Sequence, residues 1–216
     1  MKLIKKLLML STEIYNEPGI GKVFKNDTDY CEVIKEGTTL IVVFRGTENK
    51  KGWKSNFECV DRNSNDIHDG FEDAYDELDL YYPLVKILED KSFNHVIFTG
   101  HSRGGSLAIQ AALDMSEFGV VYEKVSCVTF GAPRLGGKKW RDKFNRSKVY
   151  LTRVETPGDP VCNIPFRSMG YRKEGNILTL KLPWYLRLTG LPFIRTVQHS
   201  PKVYSKALEY TERCKK

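Results

Sequence analysis

The chain alternates between short apolar runs and longer amphipathic segments, and this alternation predicts its secondary structure. Apolar, β-branched runs bounded by turn residues are typical of strands, whereas apolar positions that recur every three or four residues are typical of helices. Six runs are strand-like, and they span residues 30–37, 38–46, 95–100, 125–131, 148–155 and 176–182. Four segments are helix-like, and they span residues 2–15, 71–90, 103–117 and 200–212. We expect Pro83 to kink or split the second helix.

Several of the predicted strands are continuously apolar, which indicates a sheet that is covered on both faces. Helical segments between such strands favour parallel crossovers, so the predicted fold class is α/β, with a mostly parallel central sheet flanked by helices. Functional loops are then expected at the carboxyl ends of the strands. We find no internal repeat, low-complexity tract or linker, and a single domain over residues 1–216 is the expectation.

The first helix-like segment begins with a basic, apolar stretch that resembles a secretory signal only briefly. Its apolar core is too short for a signal peptide, and the spacing of Leu3, Leu7, Leu10 and Ile14 instead gives one apolar helical face. No apolar run approaches the length that spans a bilayer. The five cysteines are odd in number and scattered, which favours free thiols in a reducing compartment. A cytoplasmic location is the resulting expectation.

The charge is strongly positive, at +7 with histidines neutral. Such a balance suits contact with an anionic membrane surface, although a solvated basic surface explains it equally well. No zinc-finger spacing or RNA-binding signature is present, so nucleic acid is not an expected partner. No cofactor or metal is implied either, because the sequence has no HExxH motif and its acidic cluster at residues 72–79 has the pattern of a solvated helix face.

The stretch "TGHSRGG" lies where the strand 95–100 meets the helix 103–117. A serine in this strand-to-helix turn is typical of a nucleophile elbow, in which the flanking residues crowd each other unless they are glycines. Gly100 and Gly104 meet that requirement, and Gly105 allows close helix packing. We therefore predict that Ser102 is a nucleophile. The alternative is a glycine-rich turn with a capping serine.

A serine nucleophile requires a base and an orienting acid. In this fold the chain order is serine, acid, histidine, and His199 lies on a loop before the last helix, where the base is expected. We expect His101 to point away from the reaction, His95 to lie at the far end of its strand, and His68 to act only as support. Asp159 follows the strand 148–155 and is the predicted acid, with Glu155 as its nearest competitor; an ordinary turn would also explain Asp159.

An oxyanion hole needs two preorganised donors. The backbone N–H of Arg103 comes with the elbow, and a second donor is expected from the loop after another central strand. The stretch "VVFRGT" supplies such a loop, in which Gly46 lets the chain turn. Thr47 is therefore the predicted second donor.

Six blocks, taken together and in order, carry a resemblance that covers most of the chain. They are "VVFRGT", "HDGF", "TGHSRGG", "VTFGAPRLGG", "GDPVCNIP" and "HSPKVY". The sequence resembles the class 3 lipases, the α/β-hydrolase family of fungal triacylglycerol lipases, feruloyl esterases and phospholipases A1. The resemblance implies the α/β-hydrolase fold, Ser102, Asp159 and His199 as the triad, and Thr47 with Arg103 as the oxyanion hole. These are the residues that the chemistry of the motifs also selects.

One residue and two segments depart from the family or remain open. The family usually has leucine after the serine, and Arg103 in that place suggests a preference for anionic or phosphate-bearing substrates. The segment 48–65, a candidate lid, is largely polar and basic apart from Trp53, Phe57 and Val60, which is a poor match to a lid that opens on oil. Residues 178–198 form either a strand and packed loop or an acyl or membrane-contact loop. We expect Trp53, Trp184 and Phe193 to bind substrate.

These observations predict a serine hydrolase of carboxylic esters that works through an acyl-enzyme. A phospholipid or other acyl lipid at a membrane ranks first as the substrate, because the net charge and the aromatic and basic residues of 178–198 agree. A short-chain esterase and a non-catalytic lipid-binding protein with the same fold are the alternatives. An acyltransferase is a further alternative, since acceptors other than water can capture an acyl-enzyme.

Overall fold

A seven-stranded sheet organises the protein, whose computed structural model describes residues 1–47, 66–89, 92–117, 124–187 and 195–215. The strands are adjacent in chain order: Lys22–Lys25 (β1), Tyr30–Glu36 (β2), Thr39–Phe44 (β3), His95–His101 (β4), Lys124–Phe130 (β5), Tyr150–Glu155 (β6) and Asn176–Thr179 (β7). Strands β1 to β3 pair antiparallel, whereas β3 to β7 pair parallel. The carboxyl ends of β3 to β6 therefore meet at one edge of the sheet.

Helices cover both faces of this sheet. Within the described ranges they are Lys2–Glu13 (α1), Asp69–Asp76 (α2), Tyr81–Leu88 (α3), Arg103–Glu117 (α4), Lys138–Arg146 (α5), Trp184–Arg187 (α6) and Pro201–Arg213 (α7). Short 3-10 turns occur at Ile14–Asn16, Val161–Asn163, Arg167–Met169 and Arg195–His199. Helix α4 packs on β4 and β5 and contacts α2, whereas α1 packs on β4 and contacts α7.

The two faces of the sheet carry two separate hydrophobic clusters. Along β3, Val42 and Phe44 are buried in the cluster that includes residues of α2 and α4, whereas Ile41 and Val43 are buried in the cluster that includes residues of α1 and α7. A strand that is buried on both faces needs apolar residues at every position, because neighbouring side chains point in opposite directions. The predicted α/β class and the two-sided covering are thus confirmed.

Helix α1 largely follows its predicted apolar face. Leu7, Leu10 and Ile14 are buried against the sheet, but Leu3 is 48% exposed. The prediction was therefore wrong for Leu3; in this first turn it is the neighbouring Ile4 that packs against the cluster. The chain ends the helix in a 3-10 turn, and Glu17 follows with a left-handed φ of 46°.

Three local features differ from the predictions. The segment 71–90 does split, but the break falls between Asp76 and Tyr81. Pro83 lies in the first turn of α3, where a missing N–H leaves no helical hydrogen bond unmade. Strand β1 and helix α5 were not predicted, because β1 is largely exposed and α5 buries only Trp140 and Phe144.

The described surface and thiols agree with two further expectations. The acidic cluster on α2 and after it is solvated, with Asp73, Asp76, Glu77 and Asp79 exposed. The four described cysteines are free thiols, and only Cys214 among them is exposed. Across the described ranges, every helix is too short or too polar to cross a bilayer.

Candidate active site

Ser102 occupies the turn between β4 and α4, at the carboxyl edge of the parallel strands. Its φ of 59° lies in the left-handed region, which a residue with a side chain adopts only under strain. Two backbone hydrogen bonds hold the turn: the Ser102 N–H donates to the carbonyl of Phe130 at 2.9 Å, and the Gly105 N–H donates to the carbonyl of Ser102 at 2.9 Å. The strand, strained turn and helix together have the predicted form of an elbow.

The glycines around Ser102 are required by contact between backbone segments. A Cβ at Gly100 would lie 2.3 Å from the carbonyl oxygen of Gly104, and a Cβ at Gly104 would lie 2.4 Å from that of Phe44. A Cβ at Gly105 would lie 2.8 Å from the Cβ of Ala132. Since the first two obstacles are backbone atoms, no side-chain movement can relieve them. The elbow therefore brings α4 against the ends of both β3 and β4.

Asp159 and His199 are paired in a buried site beyond the ends of the strands. Nδ1 of His199 lies 2.9 Å from Oδ2 and 3.1 Å from Oδ1 of Asp159. The carboxylate also accepts hydrogen bonds from the hydroxyl of Tyr204 at 2.7 Å and from the N–H of Val161 at 2.9 Å. Burial opposes the charged carboxylate, but these hydrogen bonds and the imidazole outweigh it, and the pKa of Asp159 is held below its ordinary value.

Gly131 connects the Asp159–His199 pair to the elbow. It follows Phe130, whose carbonyl holds the Ser102 N–H, and it has a φ of 63°. A Cβ at this position would lie 2.9 Å from Cε1 of His199 and 3.0 Å from Oδ2 of Asp159. The structure thus brings all three predicted triad residues to the carboxyl ends of β4, β5 and β6. The hydroxyl of Ser102 is buried and makes no hydrogen bond to any described residue.

His101 supports the loop that carries His199. Its ring lies against the His199 ring with centroids 4.5 Å apart, and its Nε2 donates to the His199 carbonyl at 2.8 Å. Because that nitrogen carries the proton, Nδ1 of the neutral ring accepts from the hydroxyl of Tyr15 at 3.1 Å. Burial, together with the nearby His199 imidazole, lowers the pKa of His101 to about 3. As expected, His101 is a packed neighbour of the site.

The other candidates for base and acid are occupied elsewhere. His95 lies at the amino end of β4 and pairs with the hydroxyl of Ser126 at 3.1 Å, whereas His68 is buried against Phe71. Glu155 accepts from Lys173 at 2.7 Å and lies 3.5 Å from the buried Arg153. Glu155 therefore belongs to a separate ionic cluster. Among the described residues, no group of three or more His, Cys, Asp or Glu side chains is arranged to hold a metal ion.

The two predicted oxyanion donors lie on segments that meet at Ser102. Arg103 is the first residue of α4, and Thr47 follows Gly46 beyond the end of β3. A Cβ at Gly46 would lie 3.3 Å from the Cβ of Ser102, so the chain that leads to Thr47 passes directly beside the turn. The guanidinium of Arg103 is paired with Asp29. Asp29 balances the charge of this guanidinium. The structure therefore gives no support to the prediction that Arg103 favours anionic substrates.

The predicted substrate-binding residues are only partly described. Trp53, Phe193 and the whole candidate lid 48–65 lie outside the described residues, as do residues 188–194 of the candidate contact loop. Trp184 is 71% exposed on α6. This helix is attached to the segment before His199, because the Gln198 side chain donates to the carbonyl of Leu186 at 3.4 Å.

Three contributors to this site were not identified from the sequence chemistry. Tyr204 and Gly131 fall within blocks of the family resemblance, but only their positions in space reveal contacts with Asp159 and His199. Asp29 gives no sequence signal, since it lies in a polar stretch 74 positions before Arg103. A buried charged pair of this kind can be identified only once the fold is known.

A mostly parallel sheet with a strained serine turn at the carboxyl end of β4 defines the α/β-hydrolase class. The sequence profile of the family described as Lipase (class 3) matches residues 41–169. The chain therefore belongs to the class 3 lipase family.

Known relatives agree with this assignment. A lipase of Rhizomucor miehei is 26% identical over 146 residues, which cover 63% of this chain and 40% of that protein. Phospholipase A1-Igamma1, chloroplastic, of Arabidopsis thaliana is 31% identical over 97 residues, which cover 41% of this chain and 19% of that protein. The chain thus matches less than half the length of either relative. The solved Rhizomucor miehei lipase propeptide complex has a TM-score of 0.73 at 22% identity, with 83% of this chain and 68% of that chain covered.

Proposed function

We propose that the protein is a serine hydrolase that cleaves carboxylic esters of acyl lipids. The observation that carries the proposal is the buried His199–Asp159 pair, 2.9 Å apart, beside the strained turn that presents Ser102. An imidazole held by a carboxylate can accept the proton of a serine hydroxyl and remain stabilised as the imidazolium. Membership of the class 3 lipases supports the same chemistry.

In the proposed reaction, Ser102 Oγ attacks the ester carbonyl carbon while Nε2 of His199 takes its proton. Asp159 holds Nδ1–H and stabilises the imidazolium charge. The N–H groups of Thr47 and Arg103 bind the oxygen that becomes negative in the tetrahedral intermediate. This intermediate collapses to an acyl-enzyme as the C–O bond of the ester breaks and the imidazolium protonates the departing alcohol. Water then attacks the acyl-enzyme by the same route and releases the fatty acid and free Ser102.

An acyl lipid presented at a membrane is the preferred substrate class. Trp184 and Tyr185 are 71% and 53% exposed on α6, which is attached to the segment before His199. Exposed aromatic side chains favour the interface between water and lipid, and a net charge of +7 favours an anionic surface. Lys181, just before this helix, is also exposed. These features support peripheral contact with an anionic membrane near the site.

A short-chain esterase is the second candidate function. It is favoured by the polar and basic composition of residues 48–65, which offers little apolar surface for a long acyl chain. The two candidates share the catalytic residues and differ in chain-length preference. They are therefore separable by substrate assays alone.

The test combines active-site labelling with ester assays. We expect a fluorophosphonate probe to label wild type and Ser106→Ala but not Ser102→Ala. Ser106 is a buried serine on α4, the helix that follows Ser102, and serves as the matched control. Assays with p-nitrophenyl esters of increasing chain length and with phospholipid vesicles then define the substrate. Hydrolysis of long-chain and vesicle substrates supports the lipid assignment, and activity on short esters alone supports the esterase. If the wild-type protein is neither labelled nor active on any ester, the result supports the alternative of a non-catalytic lipid-binding protein.

A further inference from the structure

Arg103 is tethered by its own side chain to a distant part of the fold. Its guanidinium forms a bidentate pair with Asp29, with Nη1 2.5 Å from Oδ1 and Nη2 3.1 Å from Oδ2. The side chains are only 13% and 1% exposed. Two parallel hydrogen bonds to a shielded carboxylate fix the orientation of the guanidinium as well as its position. The hydroxyl of Thr28 also donates to Asp29, at 2.7 Å, and so holds the carboxylate.

The segment around Asp29 also holds the chain that leads to Thr47. The carbonyl of Tyr30 accepts from the N–H of Arg45 at 2.9 Å, and the carbonyl of Thr28 accepts from the Arg45 guanidinium at 3.2 Å. Arg45 lies two residues before Thr47, immediately after β3. Residues 28–30 therefore contact both segments that carry the proposed oxyanion donors.

We propose that Asp29 is a positioning residue that sets the spacing of the two oxyanion donors through its pair with Arg103. The proposal rests on the proposed function, because it concerns the hole of a serine hydrolase. Donors must lie about 2.7–3.1 Å from the developing oxyanion, so a small displacement of the Arg103 N–H weakens transition-state binding. In the class 3 lipases the usual leucine at this position has no charge to pair. The Asp29–Arg103 tether therefore depends on the arginine that this chain has in that place.

The position of the pair predicts a distinct kinetic effect. Asp29 acts on the reaction only through Arg103, so its loss should lower kcat and leave KM nearly unchanged. A purely structural ion pair would instead change stability and leave kcat of the folded protein unaltered.

The experiment uses three variants of the full chain: Asp29→Ala, Arg103→Leu and the double variant Asp29→Ala/Arg103→Leu. Each single variant leaves one buried charge unpaired and should lower stability, whereas the double variant removes both charges and should recover much of it. We expect kcat on a soluble p-nitrophenyl ester to fall about tenfold to 100-fold in Asp29→Ala. It should stay reduced in the double variant, with KM within about twofold of wild type.

The double variant keeps the test valid if either single variant fails to fold. We expect it to recover stability while its kcat stays low. Glu117→Ala is the control, since it breaks the 2.9 Å pair with Lys143 at the other end of α4 and should leave kcat unchanged. A double variant with wild-type kcat would overturn the positioning role. A wild type that resists the fluorophosphonate probe and hydrolyses no ester would instead overturn the proposed function, and this inference with it.

Discussion

Tyr204 donates its hydroxyl hydrogen to Oδ2 of Asp159 at 2.7 Å. The same oxygen lies 2.9 Å from Nδ1 of His199, so Tyr204 stabilises the charged carboxylate that the imidazole needs. This hydrogen bond contributes to the lowered pKa of Asp159. A group whose pKa is lowered on folding stabilises the protein above its unfolded pKa, and this stabilisation is lost as the pH falls through the folded value.

The first prediction concerns removal of this hydroxyl. Tyr204→Phe should raise the pKa of Asp159 and lower the free energy of unfolding at neutral pH by about 1.5–3 kcal/mol, the usual range for a hydrogen bond to a charged group. We expect kcat/KM for ester hydrolysis to fall about tenfold. Denaturant unfolding and steady-state kinetics measure the two effects. Tyr210→Phe, at a half-buried position on the same helix, is the control, and equal behaviour of the two variants would contradict the prediction.

The second prediction concerns the backbone strain at Ser102. Because the residue has a φ of 59°, glycine is favoured over alanine at this position. Denaturant unfolding should therefore give Ser102→Gly a free energy of unfolding about 1 kcal/mol higher than that of Ser102→Ala. Both variants should lack esterase activity. At Ser205, an exposed residue in the interior of α7, the order should reverse, since glycine is about 1 kcal/mol worse than alanine in a helix interior. The same order at both positions would show that Ser102 is not strained.

The elbow shows why this part of the site was predictable from the sequence. The contact between Gly100 and Gly104 follows from a local strand-to-helix turn, whereas the approach of Gly104 to the end of β3 depends on the order of strands in the sheet. The chain order of the proposed triad and the position of Asp159 after β6 then follow from chain topology. Likewise, apolar continuity in β3 to β5 predicts burial on both faces, which the two hydrophobic clusters confirm.

What the sequence did not predict depends on packing or on sparse patterns. Helix α5 buries only Trp140 and Phe144 in nine residues, and that is too weak a periodicity to detect. The exposure of Leu3 beside the partly buried Ile4 depends on how α1 packs on the sheet, which no local pattern records. The Asp29–Arg103 pair joins residues 74 positions apart, so only the tertiary fold brings it about.

The third prediction concerns the pH dependence of stability. The folded pKa of His101 is about 3, because burial disfavours its charged form. Below about pH 6.5 the unfolded chain takes up a proton that the folded protein does not, so stability falls as the pH falls from about 6.5 toward 3. His101 contributes a slope of at most about 1.4 kcal/mol per pH unit in this window.

Substitution of His101 isolates this contribution. We expect His101→Gln to show a flatter dependence of the unfolding free energy between about pH 4 and 6 than the wild type, whatever its stability at pH 7. Urea titrations at several pH values measure the slope. His95→Gln, at the other end of β4, tests whether the loss of any histidine has the same effect. An unchanged slope in His101→Gln would show that this ring titrates normally in the folded protein.

The last prediction separates membrane contact from catalysis. Trp184 is 71% exposed, so Trp184→Ala should leave the unfolding free energy within about 0.5 kcal/mol of wild type. Hydrolysis of a soluble short-chain ester should also be unchanged, because the side chain lies outside the proposed triad. Hydrolysis of anionic phospholipid vesicles and sedimentation with them should fall severalfold, since an interfacial tryptophan is lost.

Tyr82→Ala removes an aromatic side chain that is 75% exposed on α3, and it should alter neither vesicle measurement. If Trp184→Ala and Tyr82→Ala bind vesicles alike, α6 does not face the membrane, and the net charge of +7 must act through another surface.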